Sequence, residues 1–141
     1  MKKNGYQKYK KTSVESASRE KLLLLMYEGA IKFTKRSIMA CESGDIAERG
    51  QNIGRAYDII LELMNTLNHD LGGDVASNLE QLYMFIIDQY TKANLSGETK
   101  PLKDALQILE TLHQGWIEAI EKLKKEESGS GENSNMGSRT A

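Results

Sequence analysis

The sequence has a single proline, Pro101, and a single cysteine, Cys41. One cysteine excludes an intramolecular disulfide and any site built on several thiolates. The scarcity of proline leaves long stretches in which nothing interrupts a helix. No apolar run approaches the 18 or so residues that a membrane-spanning helix requires. The lysine-rich N-terminus leads into no uninterrupted apolar segment of the kind a secretory signal carries, which makes the cytosol the expected compartment. Net charge is −1, so no general attraction to nucleic acid or to an anionic membrane is expected. Strand-like alternation of useful length is missing as well.

What remains is helical periodicity, in four blocks. The first runs from about Arg19 to Glu42 with Ser18 as its cap, and places Leu22, Leu23, Met26, Ala30, Phe33, Ser37 and Cys41 on one face. The second follows Asp45, a good N-cap, and repeats Ile53, Ala56, Ile60, Leu63, Leu67 and Leu71 up to about Asp70. "LGGD" then breaks the pattern. The third runs from Asp74 to about Asn94 with Val75, Leu79, Leu82, Ile86, Tyr90 and Ala93 inward, and "SGETKP" ends it. The fourth takes Pro101 in its first turn and carries Leu102, Ala105, Leu109, Leu112, Trp116, Ala119 and Leu123 to about Glu126. Helices of about 20–25 residues are roughly 30–38 Å long, and short connections make them antiparallel neighbours. The expected fold is all-α, an up-down four-helix bundle over residues 19–127 with an N-terminal arm, 1–18. Residues 128–141, small and polar, are expected to be a disordered tail or a cloning remnant.

Catalytic chemistry finds little support. Glu110-Thr-Leu-His113 has the Glu-x-x-His spacing of half a di-iron carboxylate site inside a bundle. A carboxylate-metal enzyme needs a second such pair, yet the only other histidine, His69, follows Thr66 at that spacing. Cys41 sits late on its helix, where the dipole disfavours a thiolate. No phosphate-binding loop and no nucleophile motif is present. The expectation is a non-enzyme without metal or cofactor.

The leucine run Leu22 to Leu25 poses a different question. Four consecutive helical residues sweep about 300° of the wheel, more than one core can receive. Leu24, Ile31 and Ile38 form a second stripe at heptad spacing. Surplus apolar side chains recur at Ile59 and Leu61, at Met84, Phe85 and Ile87, and at Ile108 and Ile117. A wide core absorbs some of them. An overfilled set on every helix suits helix-in-groove binding of a partner, and this makes a regulatory adaptor of another helical protein an alternative reading.

The stretches "YQKYKKTSVESASREKLLLLMYEGAIKF", "GGDVASNLEQLY" and "LETLHQGWIEAI" together resemble, in order, conserved-type segments of the flagellin-specific export chaperones, the FliS family. Arg19 stands where that pattern often has proline, and Glu28 where it has aspartate. The resemblance implies a cytosolic helical chaperone that binds the C-terminal helical segment of flagellin one to one and prevents its premature polymerisation. It also implies delivery of that cargo to the membrane protein of the flagellar type III export gate. Tyr6 and Tyr9 correspond to arm positions that govern partner handling. Around them lie Lys2, Lys3, Lys8, Lys10 and Lys11 with no acid before Glu15, a basic arm suited to closing over the groove of an acidic body. The flagellin-binding residues expected on this basis are Leu24, Ile31, Ile38, Ile59, Leu61, Met84, Phe85 and Ile87.

Overall fold

The computed structural model describes the backbone of residues 2–140 and the side chains of residues 7, 8, 11 and 14–128. Four helices make up the chain: α1 (Lys2–Ser43), α2 (Ile46–Asn65), α3 (His69–Ser96) and α4 (Lys100–Thr140). Helix α1 packs on α2 and α4, and α3 packs on the same two, whereas α1 and α3 face each other only across the diagonal. This is the expected four-helix bundle. The arm and tail assigned from sequence fall at the outer ends of α1 and α4. The side chains of Tyr6 and Tyr9 and of residues 129–141 lie outside the described residues.

The first connection is built as its residues suggest. Gly44 takes a left-handed φ of 71°, its N–H reaches Cys41 O, and Asp45 N–H reaches back to Ala40 O at 2.9 Å. That pair of bonds closes α1 in a Schellman-type end. Asp45 then caps α2 by accepting from Glu48 N at 3.1 Å.

The second connection lies earlier than expected. Helix α2 stops at Asn65 rather than near Asp70. Thr66 Oγ1 turns back to Leu63 O at 2.7 Å, and the Asn68 side chain accepts from Leu71 N at 3.1 Å to open α3. These short polar side chains offer the backbone local alternatives to a continuing helix. "GGD" therefore marks a kink inside α3, not a gap between helices. Gly73 has φ 50° and ψ −122°, a conformation that side chains oppose. His69 Nε2 and Glu80 Oε2, 3.0 Å apart, tie the first turn of α3 to its main body.

The core runs through Ala30, Ile53, Ala56, Ile60, Leu63, Ile86, Tyr90, Ala93, Leu102, Ala105 and Leu109. The inward faces of α2 and α4 match their hydrophobic repeats at Ile53, Ala56, Ile60 and Leu63 and at Leu102, Ala105 and Leu109. Helix α1 is turned by about 40° from the hydrophobic reading. Ser37 is buried as expected, but so are Tyr27 and Thr34, whereas Leu22 is exposed and Leu23, Met26 and Phe33 are half-buried. Val75, Leu71, Ala119 and Leu123, all expected inward, are exposed, and Ala76 and Ile120 are buried in their neighbourhoods. The leucine run divides by position: Leu22 and Leu25 face out, Leu23 packs on the core, and Leu24 is half-buried.

Candidate functional site

Two polar rungs cross the bundle diagonal. Thr34 Oγ1 is bonded to Tyr90 Oη at 2.7 Å, and the Tyr27 and Tyr83 hydroxyls are bonded to each other. Both rungs join residues 56 apart, so one heptad step along α1 matches one along α3. The two helices therefore run parallel, as up-down topology requires. Trp116 Nε1 donates to Tyr27 Oη at 3.2 Å, which brings α4 to the lower rung. Burial pushes all three phenols above the ordinary tyrosine value, at Tyr27 against hydrogen bonds from Tyr83 and Trp116. These groups are held neutral and serve as structural bonds.

Around this frame the surplus apolar residues separate into two sets. Ile31 lines a cleft with Glu110 and His113, so its flank of α1 faces α4. A Cβ on Gly29 would come within 3.2 Å of Ile59 Cδ1, which places Ile59 between α1 and α2. Ile31 and Ile59 are half-buried and packed on the core, and Leu24 is half-buried. Ile38 is only 9% exposed and belongs to the core, contrary to its expected place in an outward stripe. The seven-residue spacing that carries it from Ile31 drifts by about 20° per step on a straight helix, toward the interior here.

The second set surrounds α3. Arg49 Nη2 donates to Asn94 O at 3.1 Å, and a Cβ on Gly50 would lie 3.9 Å from Asn94 Oδ1. Heptad steps from these contacts bring Tyr57 and Met64 of α2 and Ile87 of α3 to the same seam. Leu61 lies one turn from Tyr57, and Met84 one turn from Ile87. Phe85 lies about 100° further round α3 than Met84, away from the α2 seam. Exposure is 38% for Leu61, 53% for Met84 and 42% for Phe85, whereas Ile87 is half-buried. Met84 and Phe85 thus form an exposed apolar ridge on α3, with Leu61 exposed on neighbouring α2. Leu61, Met84, Phe85 and Ile87 belong to α2 and α3, whereas Leu24, Ile31 and Ile38 belong to α1 and Ile59 of α2 packs toward α1.

The groups considered for chemistry have other settings. His113 stacks on Tyr27, with ring centroids 6.4 Å apart, and its Nε2 lies 3.7 Å from Glu28 Oε1. Among the described residues, no three His, Cys, Asp or Glu side chains gather as a metal site would require. Burial raises the Cys41 thiol above its ordinary value, which leaves it a packing residue. No helix among the described residues is long and apolar enough to cross a membrane.

Sequence reasoning missed one feature, a cleft of about 280 Å³ at the lower end of the bundle. Leu23, Leu67, Val75, Leu79, Tyr83 and Trp116 line it, from α1, α3, α4 and the α2–α3 connection.

The family model described as "Flagellar protein FliS" matches residues 2–123. The flagellar secretion chaperone FliS of Vibrio cholerae is 36% identical over 118 residues, covering 81% of this chain and 87% of that protein. The flagellar secretion chaperone FliS of Bacillus subtilis is 28% identical over 128 residues, covering 91% and 95%. A crystal structure of a bacterial flagellar chaperone superposes with a TM-score of 0.74 at 21% identity. It covers 86% of this chain and 99% of its own, and supports the fold.

Proposed function

The chain belongs to the FliS family of flagellar proteins, and we propose that it works as a cytoplasmic export chaperone for flagellin. In this reading it holds the C-terminal helical segment of one flagellin molecule, keeps that segment from polymerising early, and presents the cargo to the export-gate membrane protein. The observation that carries the proposal is the ridge of Met84 and Phe85 on α3, with Leu61 on α2, exposed in a family of secretion chaperones. An amphipathic segment laid along α3 covers these side chains and the half-buried seam at Tyr57, Met64 and Ile87. No catalytic group is needed for this task, because burial of apolar surface on both partners supplies the driving force. Tyr6 and Tyr9 of the basic arm are proposed to regulate access to the groove.

Calorimetry with a C-terminal flagellin fragment tests this. One-to-one binding with a large negative heat-capacity change is expected, since the fragment folds as it docks. Equal binding to flagellin that lacks the segment would overturn the proposal.

A further inference from the structure

The half-buried ring of Phe33 on α1 is surrounded by cations. Lys32 Nζ lies 4.8 Å from its centroid, and the guanidinium carbons of Arg55 and Arg36 lie at 5.6 and 5.8 Å. All three basic residues are exposed. None of them forms an ion pair among the described residues. A single cation over an aromatic face is a common packing device. Three like charges around one ring repel each other, and one ring quadrupole cannot offset them. The net charge of −1 shows that this is a local concentration and not a general excess of base.

The patch continues as an apolar strip. Helical spacing puts Leu22, Leu25, Gly29 and Phe33 on the same outer flank of α1, with Leu22 and Leu25 exposed. From Leu22 to Arg36 the strip is about 21 Å long, the length of a helix of about 14 residues. At its middle, Ile59 of α2 packs against Gly29.

We propose that this face of α1 and α2 is a docking surface for an acidic amphipathic helix of a partner protein. Its carboxylates meet Lys32, Arg36 and Arg55, and its apolar residues lie over Leu22 and Leu25. Charge complementarity selects this occupant. The chain's own segment before Glu15 is lysine-rich and has the wrong sign. A nucleic acid would satisfy the cations but would leave the leucines uncovered. The surface lies on α1 and the side of α2 that carries Arg55, whereas Met84 and Phe85 are on α3, diagonally opposite α1, so it does not depend on the flagellin reading and both faces can be engaged at once.

The test uses the full chain and a fluorescein-labelled helical peptide of Glu, Leu and Ala, about 14 residues long, read by anisotropy. The acidic peptide is expected to bind more weakly as salt is raised. Its affinity should fall at least about tenfold in Arg36→Glu/Arg55→Glu, and by a smaller factor in Arg36→Gln/Arg55→Gln, the milder pair that protects against a folding defect. A charge-reversed Lys, Leu and Ala peptide should bind at least about tenfold more weakly than the acidic one. Absence of acidic-peptide binding, or unchanged affinity in both double variants, overturns the proposal. So does equal binding of the lysine peptide, or displacement of the acidic peptide by a short single-stranded oligonucleotide at lower concentration than by unlabelled peptide.

Discussion

Thr34 Oγ1 and Tyr90 Oη lie 2.7 Å apart at the centre of the bundle, and the direction of their bond is fixed. Thr34 Oγ1 already donates to Ala30 O at 2.7 Å, so Tyr90 is the donor and Thr34 the acceptor. Tyr90→Phe removes a donor and leaves no orphan proton, and should cost about 1 kcal/mol. Thr34→Val strands a buried phenolic O–H and should cost about 1–3 kcal/mol. The double variant should lose less than the sum. Urea unfolding of all four proteins measures this coupling, and strict additivity would mean the bond contributes nothing.

Those two rungs also explain where sequence reading succeeded and where it did not. On α2 and α4 the core is aliphatic, and periodicity located Ile53, Ala56, Ile60, Leu63, Leu102, Ala105 and Leu109 correctly. On α1 and α3 the interior holds Tyr27, Thr34, Ser37, Tyr83, Gln89 and Tyr90. A hydrophobic reading places Ser37 and Tyr90 inward but passes over Tyr27, Thr34 and Tyr83, because it cannot see that the Tyr27 and Tyr83 hydroxyls bond each other and that Thr34 bonds Tyr90. The surplus stripe suffered the opposite error. Ile31, Ile59 and Ile87 looked spare on single-helix wheels, yet each fills a seam between neighbours. Only Leu61, Met84 and Phe85 remained outward. Membership of the family was legible from three short motifs; the shape of the docking surface was not, since it depends on which helices adjoin.

The buried phenols predict alkaline fragility. Tyr27, Tyr83 and Tyr90 all hold their protons more tightly in the folded state than the ordinary tyrosine value allows. Between those values the native state binds more protons than the unfolded state, so stability falls as pH rises. The contribution is complete below about pH 10 and is lost above it, by up to about 1.4 kcal/mol per pH unit for each tyrosine and about 4 for three. Denaturant midpoints between about pH 9 and 11 should show this slope. Tyr83→Phe should remove about a third of it, and an unchanged slope would place the titration elsewhere.

Charge insertion separates ridge from core. Met84→Asp and Phe85→Asp add charge to exposed positions and should leave the melting temperature nearly unchanged, while weakening a flagellin C-terminal fragment by at least about tenfold. Ile38→Asp should cost about 3 kcal/mol or more, because the carboxylate has no partner in the interior. Thermal melts and calorimetry on the same samples give both readouts. Loss of folding in Phe85→Asp would make that residue core, and normal affinity in both ridge variants would move the client to another surface.

Gly115 links stability to function most directly. It precedes Trp116, whose Nε1 donates to the Tyr27 hydroxyl that also bonds Tyr83 of α3. A Cβ there would meet nothing within 4 Å, so packing inside the free protein does not require glycine. Helix propensity alone predicts that Gly115→Ala stabilises the bundle by about 0.5–1 kcal/mol. If the open space at Gly115 receives the client backbone, the added methyl group should weaken flagellin binding several-fold while raising the melting temperature. Opposite movements of the two quantities would assign the glycine to recognition. Higher stability with unchanged affinity would show that the client stays on the Leu61 and Met84 side of α3.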